Sequence, residues 1–274
     1  MIRGVTIAVV VPAHDVEQWL GEVLDTMPAF VDHVVVVDDG SRDATGEIAR
    51  SRQACAPARG SRITVLRHAR RRGVGAAIAS GYRRACELGA EVVGVMAGDG
   101  QMHPADLESV LAPVVAGHAS YVKGNRLGHP QVWQLMPRGR LLASWVFSWL
   151  TGLAAGVRVR DSQCGFTAAS SSALAALDLE RLWPSFGYPN DLIGALALRT
   201  ERIVEVPVRP VYRGEASGLR PWHALSIGFV IGRVAVRRFA GSAQRSARGG
   251  RGARGAARVP PGLAALSRWL RSRP

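Results

Sequence analysis

Residues 5–11 form an unbroken run of apolar and β-branched side chains, after which the pattern changes period. Beyond Asp15, apolar positions recur at helical spacing as Val16, Trp19, Leu20, Val23, Leu24 and Met27. The run predicts a buried strand, and the spacing predicts a helix behind it. The same alternation returns three times: residues 33–37 precede a helix from Asp43, residues 63–66 precede one from Val74, and residues 91–96 precede one over 105–116. Four strand–helix units in series predict an α/β fold with a parallel sheet, because each crossover places a helix on one of its faces. Ligands of such sheets sit beyond the carboxyl ends of the strands, so the segments following the strands are where chemistry is expected.

Two of those segments are acidic. Asp38-Asp39-Gly40-Ser41 follows the second strand and Gly98-Asp99-Gly100-Gln101 follows the fourth. Asp, Gly and Ser also start helices and close turns, and either cluster alone reads that way as readily as a site. Their equivalent topological positions favour a site. Carboxylates beside a side-chain amide are hard oxygen donors suited to Mg²⁺ or Mn²⁺, whose usual task is to hold a diphosphate. The turn after the first strand, Pro12-Ala13-His14-Asp15-Val16-Glu17, has no glycine for a pyrophosphate to approach, which argues against dinucleotide binding. Gly73-Val74-Gly75 lacks the rest of a phosphate-binding loop and reads as the tight start of a helix.

In this order and spacing, further motifs complete a pattern: Gly73-x-Gly75-Ala76-Ala77, Gly124-Asn125-Arg126, Arg140-x-x-x-Ser144, Asp161-x-Gln163-Cys164-Gly165-Phe166 and Asn190-Asp191-Leu192. Together with the two acidic segments and the Pro12–Asp15 turn, they resemble the family 2 glycosyltransferases of GT-A fold over about residues 5–220. Within that family they resemble the polyprenyl-phosphate (dolichol-phosphate) glycosyltransferases. The resemblance implies a Rossmann-like, mixed but mostly parallel sheet flanked by helices. It implies inverting transfer of a sugar from a nucleotide-sugar donor to a lipid-phosphate acceptor at a membrane surface, with Mg²⁺ or Mn²⁺ as cofactor. By the same resemblance Pro12, Ala13, Asp15, Asp38 and Asp39 belong to the nucleotide pocket, with Asp39 the closer contact. Asp99 and Gln101 are then the metal and diphosphate ligands, Arg126, Arg140, Ser144 and Gln163 the acceptor-phosphate set, and Asp99, Asp191, Arg126 and Arg140 the catalytic group.

Three positions depart from the family pattern. His14 replaces a tyrosine, and Val16 stands where an acid is expected, with Glu17 one place late. Ala97-Gly98-Asp99-Gly100-Gln101 stands where the family writes Asp-x-Asp-x-Gln, so one carboxylate of the metal site is missing. Mechanistically, breaking the sugar C1–O bond leaves charge on the diphosphate, which a cation and arginines stabilise as it develops. A phosphate acceptor is already anionic and needs no base, whereas a sugar hydroxyl needs one. Asp191 is the candidate base in the second case, and a helix N-cap otherwise. A hydroxyl acceptor, and a degraded module that only binds nucleotide-sugar or membrane, are the alternatives to the lipid-phosphate reading.

Composition adds the membrane. At 274 residues, 47% hydrophobic and 20% charged, the chain is neither disordered throughout nor a polytopic membrane protein. Its three cysteines are scattered without a metal-binding spacing, and the N-terminal residues show no signal-peptide pattern. Residues 241–274 hold eight arginines and no acid, which leaves 27 basic against 21 acidic residues in 1–240 out of a net charge of +14. Residues 141–157 are free of charge, with Ser144, Ser148 and Thr151 on one helical face and Leu142, Trp145 and Trp149 on another. That stripe predicts a helix lying in the membrane interface. Residues 221–232 repeat the idea and are followed by Arg233 and Arg237. The expected organisation is a transferase domain over 1–220, an amphipathic interface helix over 221–240 and an Arg-rich flexible tail over 241–274. A polybasic stretch beside such helices is attracted to an anionic membrane surface, giving a peripheral protein on the cytoplasmic face. Leu263, Leu266, Trp269 and Leu270 are spaced for a short terminal helix of the same character. Nucleic acid is the rival partner for so basic a chain, but no motif for it occurs and the charge concentrates in the tail, so none is expected.

Overall fold

The computed structural model describes residues 2, 4–55, 62–212 and 221–252, the last stretch with side chains over 223–240. β1 (Ile7–Ala13) is buried along its whole length, and its side chains alternate between two cores. Ala8 and Val10 face one, with Ile78, Tyr82 and Leu192; Ile7, Val9 and Val11 face the other, with Leu20, Leu107 and Leu111. A strand covered on both faces has no polar side, which is why residues 5–11 show no alternation. β2 (His33–Asp38) and β3 (Arg62–Arg67) extend the sheet on one side of β1 and β4 (Val92–Val95) on the other, all in parallel. α1 (Glu17–Asp25), α2 (Thr45–Cys55), α3 (Val74–Glu87) and α4 (Leu107–Val115) are the crossovers, each close to its predicted place. Gly81 lets α3 lie directly on β1, since a Cβ there would meet Val10 Cγ1 at 2.2 Å.

Three further strands escape the hydrophobic pattern. β5 (Tyr121–Asn125), β6 (Thr167–Ser170) and β7 (Ile203–Pro207) are short and carry Lys123, Asn125, Thr167 and Glu205. Among the described residues they complete one seven-stranded sheet, ordered β3-β2-β1-β4-β6-β5-β7. β6 runs antiparallel to β4 and β5, so the sheet is mixed, while β5 and β7 are parallel to each other. The reversal has a functional consequence. The segment leading into β6 lies on the same rim of the sheet as the segments that leave β1, β4, β5 and β7.

The remaining helices are α5 (Val132–Leu135), α6 (Arg138–Ala155), α7 (Ser171–Ala175), α8 (Tyr188–Leu198) and α9 (Pro221–Gly252). α6, the predicted interface helix, ends at Gly156, whose left-handed φ of 72° lets its N–H reach Gly152 O at 2.8 Å. Its polar face points inward. Ser144, Ser148 and Thr151 are at most 4% exposed, whereas Leu142, Trp145, Trp149 and Leu153 are 56–64% exposed. Contacts divide the chain into two units, Met1–Ala235 and Val236–Pro274, with the boundary inside α9. Helix is described through Gly252, past the expected start of the tail at 241. The terminal helix expected around Leu263–Leu270 lies outside the described residues. No helix among the described residues is long and apolar enough to cross a membrane.

Candidate active site

Two adjoining cavities open on the rim, sharing Pro12, Val74 and Phe186 in their walls. The larger chemical set lines a cavity of about 310 Å³: Asp99, Gln101, Arg126, Arg140, Ser144 and Gln163. Six residues expected as ligands, from four separate stretches of sequence, thus meet in one hollow. The second cavity, of about 370 Å³, is lined by Pro12, Ala13 and Asp39, together with His14, Arg71 and Arg72. Asp15 lies in a third hollow beside Ser41 and Arg67, where its Oδ1 accepts from Arg42 N at 2.8 Å. Asp38 and Asp191 line none of the three.

The positions of these acids follow from their hydrogen bonds. Asp38 is fully buried, accepting from Ser41 N at 2.8 Å and facing Arg67 Nε at 3.4 Å, so it shapes the turn that presents Asp39. Asp39 accepts from Arg72 N at 2.8 Å and Gly73 N at 2.7 Å, and its Oδ1 is 2.6 Å from His68 Nδ1. Burial raises its carboxyl pKa, but the bonds from His68 and the two N–H groups outweigh this and hold it below the ordinary value. Gly73 starts α3 at φ 103°, and a Cβ there would meet Pro184 O at 2.4 Å. This glycine pair is therefore a packing contact at a helix start, as read from its sequence. Asp191 sits on α8, accepting from Trp183 N at 2.9 Å with Arg233 Nε at 3.9 Å.

Around the first cavity, Arg126 is fixed by a bidentate pair with the fully buried Asp161, at 2.8 and 3.0 Å. Burial raises the Asp161 pKa, yet the Arg126 guanidinium beside it holds that carboxyl below its usual range. Lys123, the chain's single lysine, is also fully buried and donates to Cys164 O. Burial pulls its ammonium pKa down. Arg140 lies over the Tyr212 ring at 4.7 Å, a cation–π contact that sets its guanidinium at the cavity wall. From α6, Ser148 Oγ accepts from Ser162 N at 2.8 Å, and Thr151 Oγ1 lies 3.0 Å from Asn190 Oδ1. Gln163 Nε2 donates to the same Asn190 oxygen at 3.0 Å. The inward polar face of α6 thereby ties the loop before β6 to α8.

Asp99 and Gln101 bring the donor set expected for a cation to the first cavity. Asp99 Oδ1 accepts from Gln101 N at 3.0 Å, a turn that turns both side chains toward one wall. Ala97, in the same wall, sends its N–H to Met102 Sδ at 3.2 Å and offers no oxygen from its side chain. One carboxylate and one amide oxygen suit a divalent cation that takes its other oxygens from phosphate and water, as Mg²⁺ does. The residues present therefore fit such an ion with a phosphate-bearing ligand alongside it.

Several wall residues, and His68 bonded to Asp39 behind them, carry no motif. His68 stands one residue past β3, at the same rim position that singled out the acids, and that topological signal could have found it. Arg209, Tyr212, Phe186 and His223 come from connections after β7, before α8 and from α9, and nothing in their local sequence marks them.

The chain is similar to several named proteins. A protein of Methanococcus voltae named UDP-N-acetylglucosamine–dolichyl-phosphate N-acetylglucosaminyltransferase is 28% identical over 234 residues, covering 82% of this chain and 92% of its own. An undecaprenyl-phosphate mannosyltransferase of Micrococcus luteus is 32% identical over 195 residues, 71% of this chain and 77% of its own. Among solved structures, glucosyl-3-phosphoglycerate synthase of Mycobacterium tuberculosis, crystallised with Mn²⁺, uridine diphosphate and phosphoglyceric acid, superposes with a TM-score of 0.64. That likeness covers 85% of this chain and 79% of the other at 22% identity, and shows the shared GT-A fold. The profile of the family described as glycosyl transferase family 2 matches residues 8–177. With the family profile matching more than half of its length, the chain belongs to glycosyl transferase family 2.

Proposed function

We propose that this enzyme transfers a sugar from a nucleotide-sugar to a polyprenyl phosphate, working as a peripheral protein on an anionic membrane. The observation that carries this reading is the set of donors in the first cavity: Arg140 lines it beside Asp99, together with Arg126 and Arg209, whose guanidiniums are held in place by Asp161 and Asp106 behind the wall. A cavity so lined suits two anionic groups, the donor diphosphate and an acceptor phosphate. The relatives named for dolichyl- and undecaprenyl-phosphate support the acceptor class.

In this reading Asp39 and the walls of the second cavity hold the nucleoside, and Asp99 and Gln101 hold Mg²⁺ or Mn²⁺ with the diphosphate. The cation supplies charge neutralisation for the departing nucleotide. Arg126, kept rigid by Asp161, and Arg140, braced on Tyr212, present N–H donors to phosphate oxygens without reorganising as charge develops. Ser144 orients the acceptor phosphate while Gln163, whose Nε2 donates to Ser162 Oγ and Asn190 Oδ1, fixes the adjoining loop; the phosphate's own oxygen attacks C1, expels the nucleoside diphosphate and needs no base. A hydroxyl acceptor would need one, and Asp191, the candidate for that role, is buried outside the cavity against Trp183 and Arg233.

The surface supports the membrane part. Trp145 and Trp149, with Leu142 and Leu153, form an exposed apolar stripe on α6, the helix whose inner face carries Ser144 into the cavity. Tryptophans of this kind favour the headgroup region. Incubating the purified protein with Mn²⁺, polyprenyl phosphate in vesicles and a panel of nucleotide-sugars tests the reading. It predicts a glycosyl-lipid product with at least one donor, lost in Asp99→Asn and retained in Asp191→Asn. Product formed only on hydroxyl acceptors, with collapse in Asp191→Asn, would overturn it.

A further inference from the structure

The first half of α9 presents two unlike faces, one toward the cavities and one toward the outside. Inward, the His223 ring stacks on Phe186 at 4.0 Å, and both rings wall the second cavity beside Asp39. Ser226 Oγ donates to Phe186 O at 3.2 Å, and Ile227 lines the first cavity. The seat is tight. A Cβ on Gly194 of α8 would meet Val234 Cγ1 at 2.5 Å, and one on Gly187 would lie 3.2 Å from Val230 Cγ2. A shift of this helix therefore moves the wall of both cavities. Outward, Leu225 is 77% and Phe229 63% exposed, separated from the inward residues by less than a turn. Residues 221–274 carry eleven arginines and no aspartate or glutamate, so the chain beyond this face is complementary to anionic lipid.

We propose that α9 couples membrane docking to nucleotide binding: an anionic bilayer that engages Leu225 and Phe229 fixes His223 and Phe186 as a stacking wall for the donor's base. This rests on the membrane reading given above. A bilayer that binds better when α9 is seated must favour the nucleotide that also needs it seated, and the reverse holds by the same factor. His223 is thus a specificity and affinity residue of the donor site supplied by the membrane-facing helix.

The test uses the full chain, Mn²⁺, and UDP and GDP as probes, with vesicles of equimolar phosphatidylcholine and phosphatidylglycerol. Calorimetry reads nucleotide affinity with and without vesicles, and sedimentation reads vesicle binding in the same samples. Vesicles are expected to tighten the better-bound nucleotide by about fivefold or more, and that nucleotide to tighten vesicle binding by a matching factor. Leu225→Glu should keep the vesicle-free affinity and lose the gain. His223→Ala should still sediment with vesicles, bind nucleotide about tenfold more weakly in their presence, and show no gain. Sedimentation with vesicles but nucleotide affinity unchanged within about twofold would overturn the coupling and leave the membrane reading intact. Failure to sediment would remove the membrane reading and the coupling together.

Discussion

α3 packs on the sheet and α6 on α8, and the two helices are built on opposite plans. α3 turns Ala77, Ile78, Tyr82 and Ala85 into the core and leaves Arg83 and Arg84 outside. α6 turns Ser144, Ser148 and Thr151 inward and leaves Leu142, Trp145, Trp149 and Leu153 outside. The first arrangement is what water demands of a surface helix. The second stabilises nothing in water by its outer face, and its inner hydroxyls serve loops of the site. A helix can thus be read as facing something other than water when its polar residues are the ones with internal partners.

The contrast can be broken by substitution, beginning where the effect is greatest. Arg126→Met leaves Asp161 charged and buried without its partner, and urea denaturation should show a loss of about 3–5 kcal/mol. Leu20→Ala, on the inward apolar face of α1, a helix built on the same plan as α3, should cost about 2–5 kcal/mol, whereas Leu142→Ala on the outer face of α6 should stay within about 0.5 kcal/mol. Equal losses for the two leucines would erase the distinction between the plans. Ser148→Ala removes the acceptor of Ser162 N and should cost about 1–3 kcal/mol in the same assay, although serine is the smaller side chain.

The smallest effect is the titration of the site. Asp39 and Asp161 are both held below the ordinary carboxylate pKa in the fold. A depressed carboxyl contributes stability that is present above its unfolded value, about 3.9, and is lost as pH falls through the lower folded value. The melting temperature should therefore hold as pH falls from neutrality toward the carboxylate range and drop below about pH 4. Asp39→Asn should make that acid limb shallower, and an acid limb of unchanged steepness would show that Asp39 contributes nothing to it.

Much of the N-terminal half was legible in the sequence because its strands are long apolar runs and its helices repeat at a clear period. The rim positions of Asp39 and Asp99 followed from that alone, before any resemblance. β5, β6 and β7 were not legible, since Lys123, Thr167 and Glu205 interrupt the apolar pattern for reasons that appear only in three dimensions: Lys123 reaches Cys164 O, and Glu205 accepts from Arg160 N and Asp161 N. The same gap hid Tyr212, Phe186 and His223, whose roles depend on where late connections return to the rim. Asp38 and Asp191 show the reverse limit. Their motifs are plain, but burial places both behind the cavity walls rather than in them.

The central claim is that the outward face of α6 brings an arginine-lined cavity to acceptors embedded in a bilayer. Turnover of the double variant Trp145→Glu with Trp149→Glu tests it most directly, measured on long-chain polyprenyl phosphate in anionic vesicles and on a short, water-soluble isoprenyl phosphate. The account predicts a collapse with the vesicle acceptor and near-normal turnover with the soluble one. Undiminished turnover on vesicles, or an equal loss on both acceptors, would contradict it.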